Sequence, residues 1–194
     1  PSSGSVLGYY SAQTNRILLY DVTAGGRFGG DWRENAETIV HEAAHQTAFN
    51  VGIHSRYALP PRWLAEGLGT LFEAPGVYNS ASHPQLADRL NREQLTNFRR
   101  YFRQGIPDGM LAALVASDDF FKRQIHESYA LSWAFTFMVA EQSPSKLAEY
   151  LQLTADKPAF TNVSATERMR DFQSVFGSNL KMIQVRIERF MGEL

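Results

Sequence analysis

The stretch T-I-V-H-E-A-A-H-Q-T-A-F-N, residues 38–50, constrains the fold more than any other part of the chain. Read as a helix, it puts His41 and His45 on one face about one turn apart, so that a single metal ion can touch both. Glu42 follows His41 directly, and its carboxylate can reach a water beside the metal without being a ligand. A zinc ion that performs chemistry takes three protein ligands and keeps one position for water. A fold built on this pattern must therefore supply one more donor.

Glu66 is the best candidate for that donor. It lies in W-L-A-E-G-L-G-T-L-F-E, residues 63–73, on a helix that Pro60 and Pro61 open and that packs antiparallel to the first after a short connection. Gly67 and Gly69 leave room for a close helix approach, and Trp63, Leu64, Leu68, Leu71 and Phe72 supply apolar packing. Glycine inside a helix costs roughly 1 kcal/mol relative to alanine, so two beside a carboxylate indicate a packing or site requirement. Glu73, two turns on, or Thr70, one turn on, is placed to support a ligand histidine through its far nitrogen.

The hydropathy pattern predicts two short strands, Leu7 to Tyr10 and Arg16 to Val22, around the polar turn Ser11 to Asn15. The glycine-rich T-A-G-G-R-F-G-G-D lacks the Lys-Ser/Thr ending of a phosphate-binding loop and reads as a connection. The first helix starts near Asp31 to Asn35, where Asp31 and Glu34 stand at capping-box spacing, and stops at Val51-Gly52. The second ends near Glu73, before Pro75-Gly76. Further helices are expected over Pro84 to Arg103, Pro107 to Ala116, Ile125 to Glu141, Pro144 to Leu153 and Ser164 to Phe176, and from Ser178 onward. The fold class expected is α+β, mostly α, with a small N-terminal sheet packed on the metal helix and a helical C-terminal half.

With 194 residues, the chain has the size of one domain with a sizeable core. Its 19 basic and 20 acidic residues create no field that would make nucleic acid or an anionic membrane its main partner. No apolar run reaches the length of a membrane span. Without cysteine there is no disulfide and no thiolate ligand or nucleophile. Because it opens at Pro1 rather than Met, the chain reads as a mature product or a piece of a longer protein.

The two segments together resemble the gluzincin metallopeptidases, in which a glutamate on the helix after HExxH completes the zinc site. The run H-E-A-A-H-Q-T-A-F-N followed by P-P-R-W-L-A-E-G-L-G-T-L-F-E is similar to an uncharacterised bacterial family known as domain of unknown function 1570, and to peptidase MA-like enzymes. The resemblance is specific from Ile39 to Glu73 and weaker over E-S-Y-A-L-S-W-A-F and F-Q-S-V-F-G-S-N-L. It implies a zincin-like domain with Zn2+ held by His41, His45 and Glu66, Glu42 as general base, and a peptide or protein as substrate. It also implies residence outside the cell or in its envelope. Three departures stand out: a longer gap between His45 and Glu66 than in aminopeptidases of type N, no G-x-M-E-N-like segment, and Thr70 where thermolysin-like enzymes carry aspartate.

Under this reading zinc polarises a water, Glu42 takes its proton as it attacks a carbonyl, and Glu42 returns the proton to the leaving amine. Tyr129 is the candidate second donor to the oxyanion, with His126 as its competitor. His54, in the connection G-I-H-S-R-Y, reads as a solvated loop histidine, and His83 as chemically idle. Arg56 and Arg62 are placed to bind a substrate carboxylate, although surface ion pairing is the default for both. The run Arg99 to Arg103 reads as a solvated helix face. An edge strand at Arg16 to Tyr20 is where an extended peptide would pair. The rival readings are an amide hydrolase for a non-protein bond and a zincin-like binding module whose metal is structural.

Overall fold

The computed structural model describes residues 8–20 and 32–194. Strands β1 (Gly8–Ser11) and β2 (Arg16–Leu19) form an antiparallel hairpin in the register Gly8 with Leu19 and Tyr10 with Ile17. The turn is closed by Asn15 at φ +56°, a left-handed conformation that asparagine tolerates, with its side chain accepting from the Tyr10 hydroxyl at 3.1 Å. Tyr10 packs on Phe49 with ring centroids 5.5 Å apart, which seats the hairpin on the first helix. Arg56 pins the turn itself, donating to the Ala12 carbonyl at 2.9 Å and to the side chains of Asn15 and Asn50. It is a brace between hairpin and helix.

Helix α1 (Trp32–Asn50) ends where expected: Gly52 takes φ +81°, and the His54 amide turns back to the Ala48 carbonyl at 3.0 Å. Helix α2 (Arg62–Phe72) follows Pro60-Pro61, and its first amide, that of Arg62, is satisfied from a distance by Asp118 Oδ1 at 3.0 Å. Helix α7 (Ile125–Gln142) is buried continuously from Ala130 to Val139, as a run largely apolar on every side requires. Helices α2 and α7 meet at Gly67, where a Cβ would stand 2.3 Å from Thr136 Oγ1 and 2.9 Å from the Ser132 carbonyl. Around this contact lies an aromatic core in which Trp63 stacks on Tyr150 at 5.5 Å and meets Phe172 edge-on.

The fold is mostly helical with a little β structure, as expected, although several boundaries differ. The Pro75-Gly76 stop also opens a turn of helix, α3 (Pro75–Tyr78). The single helix expected over Pro84 to Arg103 is broken. A 3-10 turn at Leu86–Arg89 leads to extended Leu90 and Asn91, and Asn91 then caps α4 (Arg92–Tyr101) by accepting from the Gln94 amide at 3.1 Å. Helix α5 (Met110–Ala116) starts later than Pro107 because Gly109 at φ +78° lies outside helical space. A short α6 (Phe120–Arg123), α8 (Pro144–Ala155), α9 (Ala165–Phe176) and α10 (Leu180–Gly192) complete the chain. Leu7, Val22, the glycine-rich segment and the capping box proposed for Asp31 and Glu34 lie outside the described residues or side chains.

Candidate metal centre

Helical spacing on α1 sets His41 and His45 together, with the two Nε2 atoms 3.0 Å apart. From α2, Glu66 Oε2 comes to 3.3 Å from the first and 3.6 Å from the second. Among the described residues these three side chains form the one group of histidines and carboxylates able to converge on a cation. Four donors at zinc distances of 2.0–2.1 Å in a tetrahedron stand roughly 3.3 Å from one another. The three separations here centre on that value, so the donor set fits a small divalent ion with one corner left over.

Glycine at position 69 makes the approach possible. A Cβ there would sit 2.7 Å from Cε1 and 3.0 Å from both ring nitrogens of His41, so the imidazole lies flat against bare backbone. The two glycines inside α2 thus serve different neighbours, Gly67 facing α7 and Gly69 facing His41.

The far nitrogen of His41 is also engaged. Nδ1 lies 2.7 Å from Glu73 Oε1, and the other oxygen of Glu73 accepts from Asn91 Nδ2. Asn91 donates as well to the Thr70 carbonyl at 3.0 Å, so the residue that caps α4 also fixes the carboxylate behind the histidine. Of the two supports expected, Glu73 fills the role and Thr70 does not, since the Thr70 hydroxyl turns back to the Glu66 carbonyl at 2.7 Å. A carboxylate on Nδ1 directs the proton there and presents the Nε2 lone pair to a metal.

The charge balance agrees. Burial lowers the His41 pKa, but hydrogen bonds to Glu66 and then Glu73 overturn that and raise it to about 10. For Glu66, burial raises the pKa, and the bonds to His41 and His45 outweigh it and bring it well below the usual carboxylate range. The cluster is built around a positive charge, which a proton supplies when no cation does.

Glu42 is 8 % exposed on α1, and among the described residues no hydrogen bond or ion pair reaches its carboxylate. Buried polar groups are ordinarily paired, so this acid is left for water or a ligand. Tyr129 stands beside the cluster, its ring 6.5 Å from that of His41 and its hydroxyl close enough to interact with Arg62 and Glu66. Burial, then the charge of Glu66, push its pKa up, with Arg62 opposing, and the phenol remains protonated. His126, its competitor, is exposed and stacks on Tyr101 at 6.2 Å.

Three features went unread in the sequence. His54 is not solvated: it is 1 % exposed, packs edge-on against Phe49 at 5.3 Å, and neither ring nitrogen has a hydrogen-bond partner among the described residues. Arg62, beyond an ordinary surface role, donates from Nε to Glu66 Oε1 at 3.1 Å. Asn91 carried a signal only as the N-cap of α4. A cavity of about 480 Å3 opens beside the centre; Glu37, Glu73, His83, Asn91 and Arg92 are among its lining, and it includes none of His41, His45 and Glu66. No helix among the described residues is long and apolar enough to cross a membrane.

Fold and cluster define a mostly helical protein with a small hairpin, in which two adjacent helices converge on a His-His-Glu site. Residues 35–161 match the model of a family described as Protein of unknown function (DUF1570), and the chain belongs to that family. No curated protein and no solved structure matches the chain.

Proposed function

We propose that the protein is a zinc-dependent peptidase of the gluzincin type, with His41, His45 and Glu66 as the residues that hold Zn2+. The observation that carries this reading is the set of donor separations, 3.0, 3.3 and 3.6 Å, which suits one ion bound by three protein atoms and open at a fourth position. Glu73, the next carboxylate along the chain from Glu66, is committed to the far nitrogen of His41. A structural zinc site closes with four protein ligands, so three favour catalysis.

When bound, zinc supplies Lewis acidity and makes water acidic near neutral pH. The work of the chain is to move the proton. Glu42, buried and without a partner among the described residues, takes it from the attacking water and passes it to the amine that leaves as the peptide bond breaks. Tyr129, protonated and beside Glu66, donates to the oxygen on which negative charge develops. The hairpin on α1 offers the outer edge of β2 for an extended substrate.

The test is metal content together with cleavage of a mixed peptide library, with and without chelator, for the native chain and E42Q. The expected result is about one zinc per chain in both proteins and turnover only in the native one, lost with chelator. Full turnover by E42Q contradicts the role of Glu42, and zinc binding without cleavage of any peptide favours an amide hydrolase or a binding module.

A further inference from the structure

Arg62 opens α2 one turn before Glu66, an arrangement that by itself is an ordinary ion pair worth a few tenths of a kcal/mol. Its setting is not ordinary. The two oxygens of Glu66 have separate tasks: Oε2 faces the imidazoles at 3.3 and 3.6 Å, and Oε1 accepts from Arg62 Nε at 3.1 Å. The guanidinium is itself fixed, with its carbon 4.6 Å over the Phe121 ring and Tyr129 on its flank. The root of the side chain is anchored too. The Arg62 amide donates to Asp118, which Arg168 of α9 grips through both terminal nitrogens at 2.6 and 3.0 Å.

We infer that Arg62 is a positioning residue of the metal centre: it occupies Glu66 Oε1 so that Glu66 offers the ion one oxygen and a corner stays open to water. The inference rests on the zinc reading above. A carboxylate with both oxygens free swings readily into two-oxygen binding, which raises the coordination number and crowds the corner that the reaction needs. The positive charge of Arg62 also offsets that of Glu66 and leaves the ion more electrophilic. The planar fork of arginine suits this task, whereas lysine offers a mobile point charge.

The probe is cobalt(II) in the full chain, whose visible bands are several-fold stronger in four-coordinate than in five- or six-coordinate sites. The native protein is expected to give the strong spectrum. R62A is expected to lose several-fold in band intensity, with kcat down about 10–100-fold, the range typical of residues that support metal ligands, and KM nearly unchanged. R62K is expected to fall between the two. If R62A does not fold, R62K alone decides, by a band intensity below that of the native protein. A strong native spectrum that these variants leave unchanged overturns the role of Arg62 and spares the zinc reading; a native protein that takes up no cobalt overturns both.

Discussion

His41 and His54 sit on and just after the same helix, both largely buried, and their protonation is driven in opposite directions. His41 lies between Glu66 and Glu73 and is raised to about 10, while His54 lies against Phe49 with no carboxylate partner among the described residues and is lowered to about 4, by burial first and the charge of His45 second, with the Ile53 backbone opposing weakly. Burial works against the charged form at both positions. The difference is that one histidine has been given two carboxylates and the other none. One region of the molecule is organised to collect positive charge, and the neighbouring connection to exclude it.

The largest expected effect concerns His54. Its folded pKa lies below the unfolded value near 6.5, so the unfolded chain binds the additional proton as pH falls, and stability declines from pH 6.5 down to about 4. The full loss is roughly 3 kcal/mol, taking 1.36 kcal/mol for each pH unit of separation. Urea melts of the native chain and H54L at pH 7 and 4.5 measure it. H54L is expected to flatten the slope in that window, and an unchanged slope would remove His54 from the comparison. In chelator-treated protein His41 acts with the opposite sign: its contribution is complete below pH 6.5 and is lost as pH rises toward 10.

Next in size is E73Q, which keeps a hydrogen-bond acceptor for His41 but removes the charge. Zinc affinity, read by competition with a chromophoric chelator, is expected to fall about 10–100-fold. The NMR titration midpoint of His41 in metal-free protein should also drop. An unchanged midpoint would mean that Glu73 is not what distinguishes the two histidines.

G69A is the mildest. The new methyl presses on the His41 ring, whereas alanine favours the helix by roughly 1 kcal/mol, so stability is expected to change little while zinc binding weakens about tenfold. Equal loss of stability and affinity would point to a packing defect in α2 instead. Thermal melts beside the same chelator competition separate the two.

What could be read in advance was whatever depends on spacing along one helix or on local turn chemistry. His41 and His45 on one face, the Gly52 stop, the α9 helix opening at Ser164, and the glycines beside Glu66 all belong to this kind. What escaped depends on neighbours distant in sequence. His54 sits in a polar-looking connection, and its burial comes from packing on Phe49. Arg62 looks like a helix-start cation until Glu66, Phe121 and Tyr129 surround it. The helix expected over Pro84 to Arg103 fails because the Asn91 side chain competes for the backbone amide of Gln94, and the tertiary bonds from Asn91 to Glu73 and Thr70 reward that break.

The central claim, that three side chains from α1 and α2 hold one cation, is tested most directly by anomalous diffraction at the zinc edge from crystals grown without chelator. A single strong peak about 2 Å from His41 Nε2, His45 Nε2 and one oxygen of Glu66 is the result expected. A map with no peak there, or with the ion bound by other side chains while Glu66 points elsewhere, would contradict it.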